Sequence, residues 1–465
     1  MSTPFDEAFE ADGRLRPAYE ALRRRLGGDA LRPPAEVSAR LRERPLGDDA
    51  RILAIPLVLE ESEYGAIQAA VAQRARALQS FFCDAVMGDG RFLASGRGLA
   101  PALLDEILAC EGTSLARLRR AWGSHEPDEI RFVYGPDLAR EPSGRWVVLE
   151  DNVGCVGGAA DGFFVADAYA RAAGQPAPTL ETADLARAVE HWLGPRAHRS
   201  VGEPIIASLG CEPGGGDSAS PRLRENARRA RLLAPLGIEA VGGAELERLL
   251  RPGRTRPGAL VNFEHLAAHL VGTVFGRLRI PLLNSPGTGL LGNKALLPFV
   301  GDMIRFFCGE EPLLATPSTR ILRDGESPEP RGDWVVKMST GAGGNGVFLP
   351  GSEMAGRLES VHALVRASGP CGVVAQRFVE PSTLSLAGRG ARDAHRVELR
   401  PMTYVVGWEE VLVGEQPVGK AVSSFGRPRL NNVSRGAAYV AVLRETAPGA
   451  CPRQEGTLGV TIQSG

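Results

Sequence analysis

Residues 332–348 constrain the fold of this chain more than any other stretch. Residues 334–336 form a short apolar run typical of a buried strand, Lys337 closes it, and a glycine-rich loop follows at 341–346. Glycines let the backbone approach an anion with its N–H groups, and a lysine adds a point charge. The pattern predicts a phosphate-binding loop followed by a second strand. An ordinary hairpin turn is the alternative, because the chain has 57 glycines.

This loop differs from the two best-known nucleotide-binding patterns. No Gly-Lys-Ser/Thr follows the glycines, as a P-loop requires, and a strand rather than a helix is predicted next, unlike a dinucleotide fingerprint. Lysine usage supports a special role for Lys337. Lysine and arginine together number 54, but the only lysines are Lys294, Lys337 and Lys420. A lysine in such a chain is expected where a compact, single-point donor is needed.

Length and charge limit the classes of protein to which the chain can belong. With 465 residues it can form two or three domains, and a net charge of −1 argues against a nucleic-acid binder. The sequence has no apolar run of membrane-spanning length and an acidic, polar N-terminus. The seven cysteines are scattered without a Cys-x-x-Cys pair, which indicates free thiols in a reducing compartment. We therefore expect a cytoplasmic enzyme without membrane or nucleic-acid partners.

A hairpin is predicted at residues 131–149, with strands at 131–134 and 145–149. Asp137 precedes its turn at 141–144, and Glu150 and Asn152 end its second strand. Glu150 and Asn152 share a face because strand side chains alternate, and Asp137 can lie alongside them. Carboxylate and amide oxygens are hard ligands that suit magnesium bound to phosphates. The pattern favours a metal site over a polar strand end that faces solvent.

Strands alternate with helices between residues 204 and 263, which predicts a small parallel α/β domain. Its predicted strands are 204–209, 237–241 and 260–263, and its predicted helices are 221–236 and 244–250. The loop at 212–217 follows the first strand, where such sheets often bind ligands. His265 and His269 could share a helix face, but no third zinc ligand is evident, so a packing or solvent-facing role is favoured.

The flanking regions contain few candidate functional residues. A strand at 51–59, helices at 17–26, 60–87, 101–122 and 181–193, and a β-rich region at 395–447 are expected. Residues 1–50 are interpreted as a solvated cap, in preference to a membrane or RNA arm, because acidic residues are mixed among the arginines. Arg400 lies mid-strand with Glu398 on the same face. A buried arginine needs an anionic partner, so an ion pair with Glu398 and a phosphate contact both remain open.

Several segments then form an ordered series. After the hairpin come Asn-Ser-Pro-Gly-Thr-Gly at 284–289 with Lys294, Val-Val-Lys at 335–337 with its glycine loop, Ala-Gln at 375–376, Glu-Leu-Arg-Pro at 398–401 and Asn-Asn-Val-Ser-Arg-Gly at 431–436. From about residue 131 to residue 443 this order resembles the circularly permuted ATP-grasp proteins, relatives of ATP-dependent carboxylate–amine ligases. In that group the metal-binding hairpin comes first rather than last.

The resemblance implies a role for each matching residue. Asp137, Glu150 and Asn152 would bind Mg²⁺. Arg400, Lys337 and Arg435 would act in catalysis. The ATP-binding residues would be Lys294, Lys337, Gly341, Gly343, Gly344, Asn345, Gly346, Gln376, Arg377 and Phe378.

The chain departs from the family pattern at four places. Met338 stands where proline is usual, Asn345 where lysine is common, and Asn293 where an acidic residue precedes the lysine. After Asn152, Val-Gly-Cys-Val-Gly-Gly replaces an Arg-Pro-Ser segment. The last departure leaves the substrate open, because that loop would adjoin the metals.

The resemblance also implies a domain order and an activity. The expected fold is α/β (α+β), a permuted ATP-grasp fold with a small parallel α/β pre-ATP-grasp domain. Its expected parts are 1–125 as a mostly helical region packed on the core, 126–195 with the metal hairpin, 196–300 as the pre-ATP-grasp domain, 301–385 as the ATP-binding lobe, 386–447 as the rest of the core, and 448–465 as a tail.

The expected activity joins a small-molecule or peptide carboxylate to an amine through an acyl phosphate, using ATP and Mg²⁺ and releasing ADP and phosphate. A kinase-type phosphotransferase and a non-catalytic nucleotide-binding protein are the alternatives. The sequence leaves the oligomeric state open.

Overall fold

The structure is a computed structural model. It describes residues 3–26, 39–41, 51–154, 156–197, 205–208, 221–251, 257–263, 268–326, 333–341, 343–350, 352, 358–385, 394–424 and 430–445. The predicted loop at 212–217, His265, the side chain of His269 and the tail at 448–465 lie outside the described part. None of the described helices combines the length and apolar character needed to cross a bilayer.

The strands, numbered in chain order, are β1 Ile52–Glu60, β2 Phe132–Tyr134, β3 Asp137–Arg140, β4 Trp146–Glu150, β5 Ile205–Ser208, β6 Glu239–Val241, β7 Ala259–Asn262, β8 Leu282–Leu283, β9 Thr319–Ile321, β10 Trp334–Met338, β11 Val347–Phe348, β12 Val373–Arg377, β13 Thr383–Leu384, β14 His395–Arg400, β15 Thr403–Gly407, β16 Glu410–Val413, β17 Val418–Ser423 and β18 Ala438–Glu445.

The α-helices are α1 Pro17–Leu26, α2 Glu61–Phe82, α3 Arg91–Ala94, α4 Pro101–Cys110, α5 Leu115–Trp122, α6 Asp161–Ala172, α7 Asp184–Ala197, α8 Pro221–Leu233, α9 Gly243–Leu249, α10 Ala268–Val271, α11 Val300–Phe307 and α12 Leu358–Ser368. Short 3₁₀ turns occupy Pro127–Glu129, Leu180–Thr182, Ala234–Leu236, Thr288–Gly292, Lys294–Phe299 and Val433–Arg435, and π-helical turns occupy Cys83–Met87 and Gly272–Arg277.

A seven-stranded sheet forms the centre of the molecule, in the order β1-β18-β17-β14-β3-β4, with β13 paired to β14. Its ladders are antiparallel except for the parallel pair of β1 and β18. β1 is apolar and mostly buried, so the N-terminal region contributes a strand to this sheet as well as helices. The long helix α2 packs against β1, β15, β16 and α11, which joins the N-terminal region to the core.

Two smaller sheets position the remaining predicted elements. β11-β10-β12-β9 is an antiparallel sheet, and its β10–β11 hairpin carries the glycine-rich loop. β6-β5-β7-β8 is parallel throughout, which confirms the predicted α/β unit. Lys337 lies within β10 rather than at its end, because the strand continues to Met338.

Two sequence-based predictions of element boundaries were wrong. The helix predicted at 101–122 is two helices, because Gly112 adopts a left-handed φ of 69° and Ser114 caps α5 by accepting a bond from the backbone N–H of Arg117. The predicted hairpin strand at 131–134 is β2, which pairs with β15 in a separate three-stranded sheet. The hairpin partner of β4 is β3, so Asp137 lies in the strand itself.

Candidate active site

A cleft lies between the central sheet and the four-stranded sheet β11-β10-β12-β9. Ten of the fifteen predicted site residues line it: Asp137, Glu150, Asn152, Lys337, Gly343, Gly344, Gln376, Arg377, Phe378 and Arg400. Glu398 lines it as well, although it was not predicted as a site residue. The other five predicted residues are not among the lining residues: Lys294, Gly341, Asn345, Gly346 and Arg435. Residues 396, 398 and 400 share one face of β14 because strand side chains alternate. The face of β14 thus forms one wall of the cleft, and residues of β10 and β12 form the other.

The three predicted metal ligands come together at one edge of the central sheet. Asp137 of β3 is the register partner of Glu150 of β4, so their side chains share a face. Asn152 follows two residues later, and its amide nitrogen donates to the carbonyl oxygen of Gly135 at 3.0 Å. Two carboxylates and an amide form a hard-oxygen donor set suited to Mg²⁺. Among the described residues no larger cluster of His, Cys, Asp and Glu is arranged for a metal.

Arg400 is bound to Asp137, not to Glu398. Its Nε and Nη2 donate to the two carboxylate oxygens of Asp137 at 2.7 and 2.8 Å, and its Nη1 donates to the carbonyl oxygen of Gly157 at 2.8 Å. Burial acts to raise the pKa of Asp137, but the charges of Arg400 and Lys420 outweigh it and hold that pKa well below its ordinary value. The ion pair with Glu398, one of the two alternatives for Arg400, is therefore wrong, and the phosphate contact stays a prediction.

Lys420 is a buried residue beside the cleft that the sequence-based assignment missed. It is the register partner of Glu398, and its Nζ lies 2.8 Å from Asp137 Oδ1 and 3.3 Å from Glu398 Oε2. Burial raises the pKa of Glu398 to about 7, with Lys420 opposing the shift and Asp137 adding to it. The rarity of lysine was the signal that could have identified Lys420, because it had already singled out the other two lysines.

Lys337 links the two walls of the cleft. Its Nζ donates to the carbonyl oxygen of Leu149 at 2.9 Å and to Oε1 of Gln376 at 2.7 Å. Burial lowers the pKa of this lysine, while the nearby Glu150 acts in the opposite direction. The backbone carbonyl contact places a buried cation directly beside the end of β4, where the predicted metal ligands lie.

Side-chain contacts hold the glycine-rich loop near both of its ends. Lys294 Nζ lies 3.1 Å from Glu150 Oε1 and donates to the carbonyl oxygen of Gly341 at 2.5 Å. Near the other end, Asn345 Oδ1 accepts a bond from Arg435 Nη2 at 2.5 Å. Gly346 has a φ of 70°, and a Cβ there would lie 2.7 Å from Met338, so only glycine fits this turn. Arg435 is exposed and is not among the residues that line the cleft.

The segment after Asn152 connects Arg400 to the small parallel domain. Gly158 donates its backbone N–H to Glu225 Oε1 at 2.6 Å, and Arg229 Nη2 bonds both that oxygen and the carbonyl oxygen of Val156. Because Arg400 donates to the carbonyl oxygen of Gly157, this segment directly adjoins the site.

The chain matches the sequence model of the family described as circularly permuted ATP-grasp type 2 at residues 56–192 and 264–414. It is 28% identical over 444 residues to a Frankia casuarinae protein named "Putative glutamate--cysteine ligase 2-2", covering 86% of this chain and 50% of that protein. A Frankia alni protein with a similar name is 27% identical, again with 50% of its length covered. The chain thus spans about half the length of these two relatives.

Two further similarities involve proteins covered over more of their length. An uncharacterised protein of Mycobacterium tuberculosis strain H37Rv is 26% identical, with 85% of this chain and 76% of that protein covered. A glutathione synthetase-like effector from Globodera pallida, solved in its apo form, superimposes with a TM-score of 0.54 at 11% identity, covering 84% of this chain and 89% of the other. The latter similarity concerns the fold. With the family match across most of its length, the chain belongs to the circularly permuted ATP-grasp type 2 family.

Proposed function

We propose that the chain is an ATP- and Mg²⁺-dependent ligase that joins a carboxylate to an amine through an acyl phosphate. One observation carries the proposal: Asp137, Glu150 and Asn152 line the same cleft as Lys337 and the glycine-rich loop. A nucleoside triphosphate with its metal requires hard oxygen ligands for the metal, and cations and a glycine-rich turn for the phosphates. The names of the Frankia relatives support the same class of substrates, a small carboxylate and a small amine.

Each part of the cleft has a role in this reaction. Asp137, Glu150 and Asn152 would hold Mg²⁺, which when bound neutralises charge on the phosphates. Gln376, Arg377 and Phe378 would bind the adenine end. The phosphates would be held by Lys294, Lys337, Arg400 and the loop residues Gly341, Gly343, Gly344, Asn345 and Gly346. Arg435 would act through Asn345, to which it is bonded.

The reaction balances without a nucleophilic side chain. An oxygen of the substrate carboxylate attacks the γ-phosphorus, and ADP leaves. The amine nitrogen then attacks the carbonyl carbon of the acyl phosphate, loses a proton and displaces inorganic phosphate. The residues contribute positioning and electrostatic stabilisation, which supply most of the catalysis in phosphoryl transfer.

Hydroxylamine tests the acyl-phosphate step, since it captures activated acyl groups without the natural amine. Purified protein, ATP, Mg²⁺ and a panel of small carboxylates, amino acids and short peptides are incubated with hydroxylamine. The proposal predicts a hydroxamate that forms only when ATP and one class of carboxylate are present. A stable phosphorylated product with no hydroxamate would instead indicate a kinase-type phosphotransferase.

Replacing Lys337 by methionine is expected to weaken ATP binding about a hundredfold, which corresponds to roughly 2.7 kcal/mol. The substitution shortens the unbranched side chain by one atom and removes its positive charge, and Lys337 is only 5% exposed. Titration with a fluorescent ATP analogue measures the effect. Arg320→Met is the matched control, because Arg320 is an exposed cation of the same sheet, stacked on Trp334. Equal affinities for wild type and Lys337→Met would remove Lys337 from the proposed nucleotide site.

A further inference from the structure

All three lysines of the chain are buried around one group of carboxylates. Lys294, Lys337 and Lys420 are 2%, 5% and 4% exposed. Lys294 contacts Glu150, whereas Lys420 contacts Asp137 and Glu398. Two of these lysines have a role in the proposed nucleotide site. The family resemblance assigns no role to Lys420, although burying a lysine costs free energy unless its charge is paired.

Asp137 is bound by two cations in this structure. Arg400 occupies both of its carboxylate oxygens, and Lys420 Nζ adds a second contact to Oδ1 at 2.8 Å. A metal ion that binds Oδ1 of Asp137 would therefore have to displace the ammonium group of Lys420. Lys420 has a second carboxylate within reach, because Glu398 Oε2 lies 3.3 Å from the same Nζ.

We propose that Lys420 is an internal counter-cation of the metal site. It neutralises Asp137 while the site is empty, and it shifts its contact to Glu398 when a divalent cation takes Asp137. The proposal rests on the proposed function, since it takes Asp137 as a metal ligand. It adds Lys420 to the site. It also predicts that removing the charge of Lys420 strengthens metal binding and weakens nucleotide binding.

The chemistry of lysine suits this exchange. An ammonium is a point charge on a flexible stem, so it can turn between Asp137 and Glu398 without a fixed fork geometry. Arg400 is held more firmly, because its third nitrogen donates to the carbonyl oxygen of Gly157 at 2.8 Å. Of the two cations on Asp137, Lys420 is therefore the one free to move.

The test measures ligand binding to the purified full chain carrying Lys420→Met, which shortens the unbranched side chain by one atom and removes its charge. Mn²⁺ serves as the metal probe, measured by electron paramagnetic resonance without nucleotide. A fluorescent ATP analogue is measured separately without metal. Mn²⁺ is expected to bind about tenfold more tightly than in wild type, because its competitor for Asp137 is gone, and the nucleotide about tenfold more weakly, because a site cation is lost. A merely structural role for Lys420 predicts that both ligands bind more weakly.

Three further proteins make the result specific. Lys420→Gln removes the charge but can still donate a hydrogen bond to Asp137, so it replaces the methionine variant if that protein does not fold. Lys420→Arg keeps the charge and should restore the weak Mn²⁺ binding of wild type. Arg305→Met removes an exposed cation that pairs with Asp302 and Glu311 outside the cleft, so its Mn²⁺ affinity should stay within about twofold of wild type.

The outcomes separate this inference from the proposed function. Opposite shifts of metal and nucleotide affinity in the neutral variants support the counter-cation. Weaker binding of both ligands, or no change in either affinity, overturns the counter-cation role of Lys420. The proposed site still stands in that case if the wild-type protein binds both ligands. Wild-type protein that binds neither Mn²⁺ nor nucleotide contradicts the proposed function itself.

Discussion

Glu150→Gln is expected to abolish turnover while the protein remains folded. The substitution removes one of two carboxylates from the proposed metal site and leaves a side chain of nearly the same shape. It also leaves Lys294 Nζ, now 3.1 Å from Glu150 Oε1, without its ionic partner. We expect a loss of at least about a thousandfold in kcat, roughly 4 kcal/mol of transition-state stabilisation. ADP formation under saturating ATP and Mg²⁺ measures the loss.

The same hairpin supplies the control for this variant. Glu141 lies in the turn of the β3–β4 hairpin and pairs with the exposed Arg145. Glu141→Gln therefore removes a carboxylate from the same element without touching the cleft, and its turnover should match that of wild type. Circular dichroism checks that both variants are folded. Retention of wild-type kcat by Glu150→Gln would contradict the site assignment.

Arg74→Met is expected to destabilise the protein by about 3–5 kcal/mol, because it leaves a buried carboxylate without its charge partner. Arg74 and Asp151 are among the most buried charged side chains, 1% and 3% exposed. Nε and Nη2 of Arg74 donate to the two oxygens of Asp151 at 2.7 and 2.8 Å, and the hydroxyl of Tyr134 donates to one of them at 2.7 Å. The free energy of unfolding from urea titration, with its slope unchanged, measures the effect.

The Arg74–Asp151 ion pair also supports the proposed metal site, because Asp151 lies between Glu150 and Asn152. Arg74 on α2 thereby anchors the end of β4 that carries two proposed metal ligands. Arg171→Met is the matched control, since Arg171 is half exposed, pairs with Asp167 on α6 and should cost less than about 1 kcal/mol. Equal losses of stability in the two variants would show that the buried Arg74–Asp151 pair stabilises the protein no more than the exposed Arg171–Asp167 pair.

Local patterns predicted the parts of the site that depend on neighbouring residues in the sequence. The glycine loop is a hairpin connection between β10 and β11, as its composition indicates, and the alternation at 204–263 folds into a parallel sheet. The turn at 141–144 sets the pairing of Leu138 with Val148, and a register shift next to Leu138 then places Asp137 opposite Glu150. In each case the signal lies within a few tens of residues.

Contacts between strands that do not follow each other in the chain could not be predicted in this way. Alternation along β14 places Glu398 beside Arg400 on one face, but the partners of both come from other strands. Arg400 pairs with Asp137, which is 263 positions away, and Glu398 pairs with Lys420. These choices depend on the order β17-β14-β3 in the sheet, which no local pattern encodes. The same limit explains why Lys420 was left unassigned.

The most direct test of the central claim is the stoichiometry of nucleotide products. Purified protein is given ATP, Mg²⁺ and pooled carboxylates and amines, and ADP, AMP and free phosphate are measured separately. The proposal predicts ADP with an equal amount of phosphate, formed only when both a carboxylate and an amine are present. Formation of AMP, or of ADP without phosphate, would contradict ligation through an acyl phosphate.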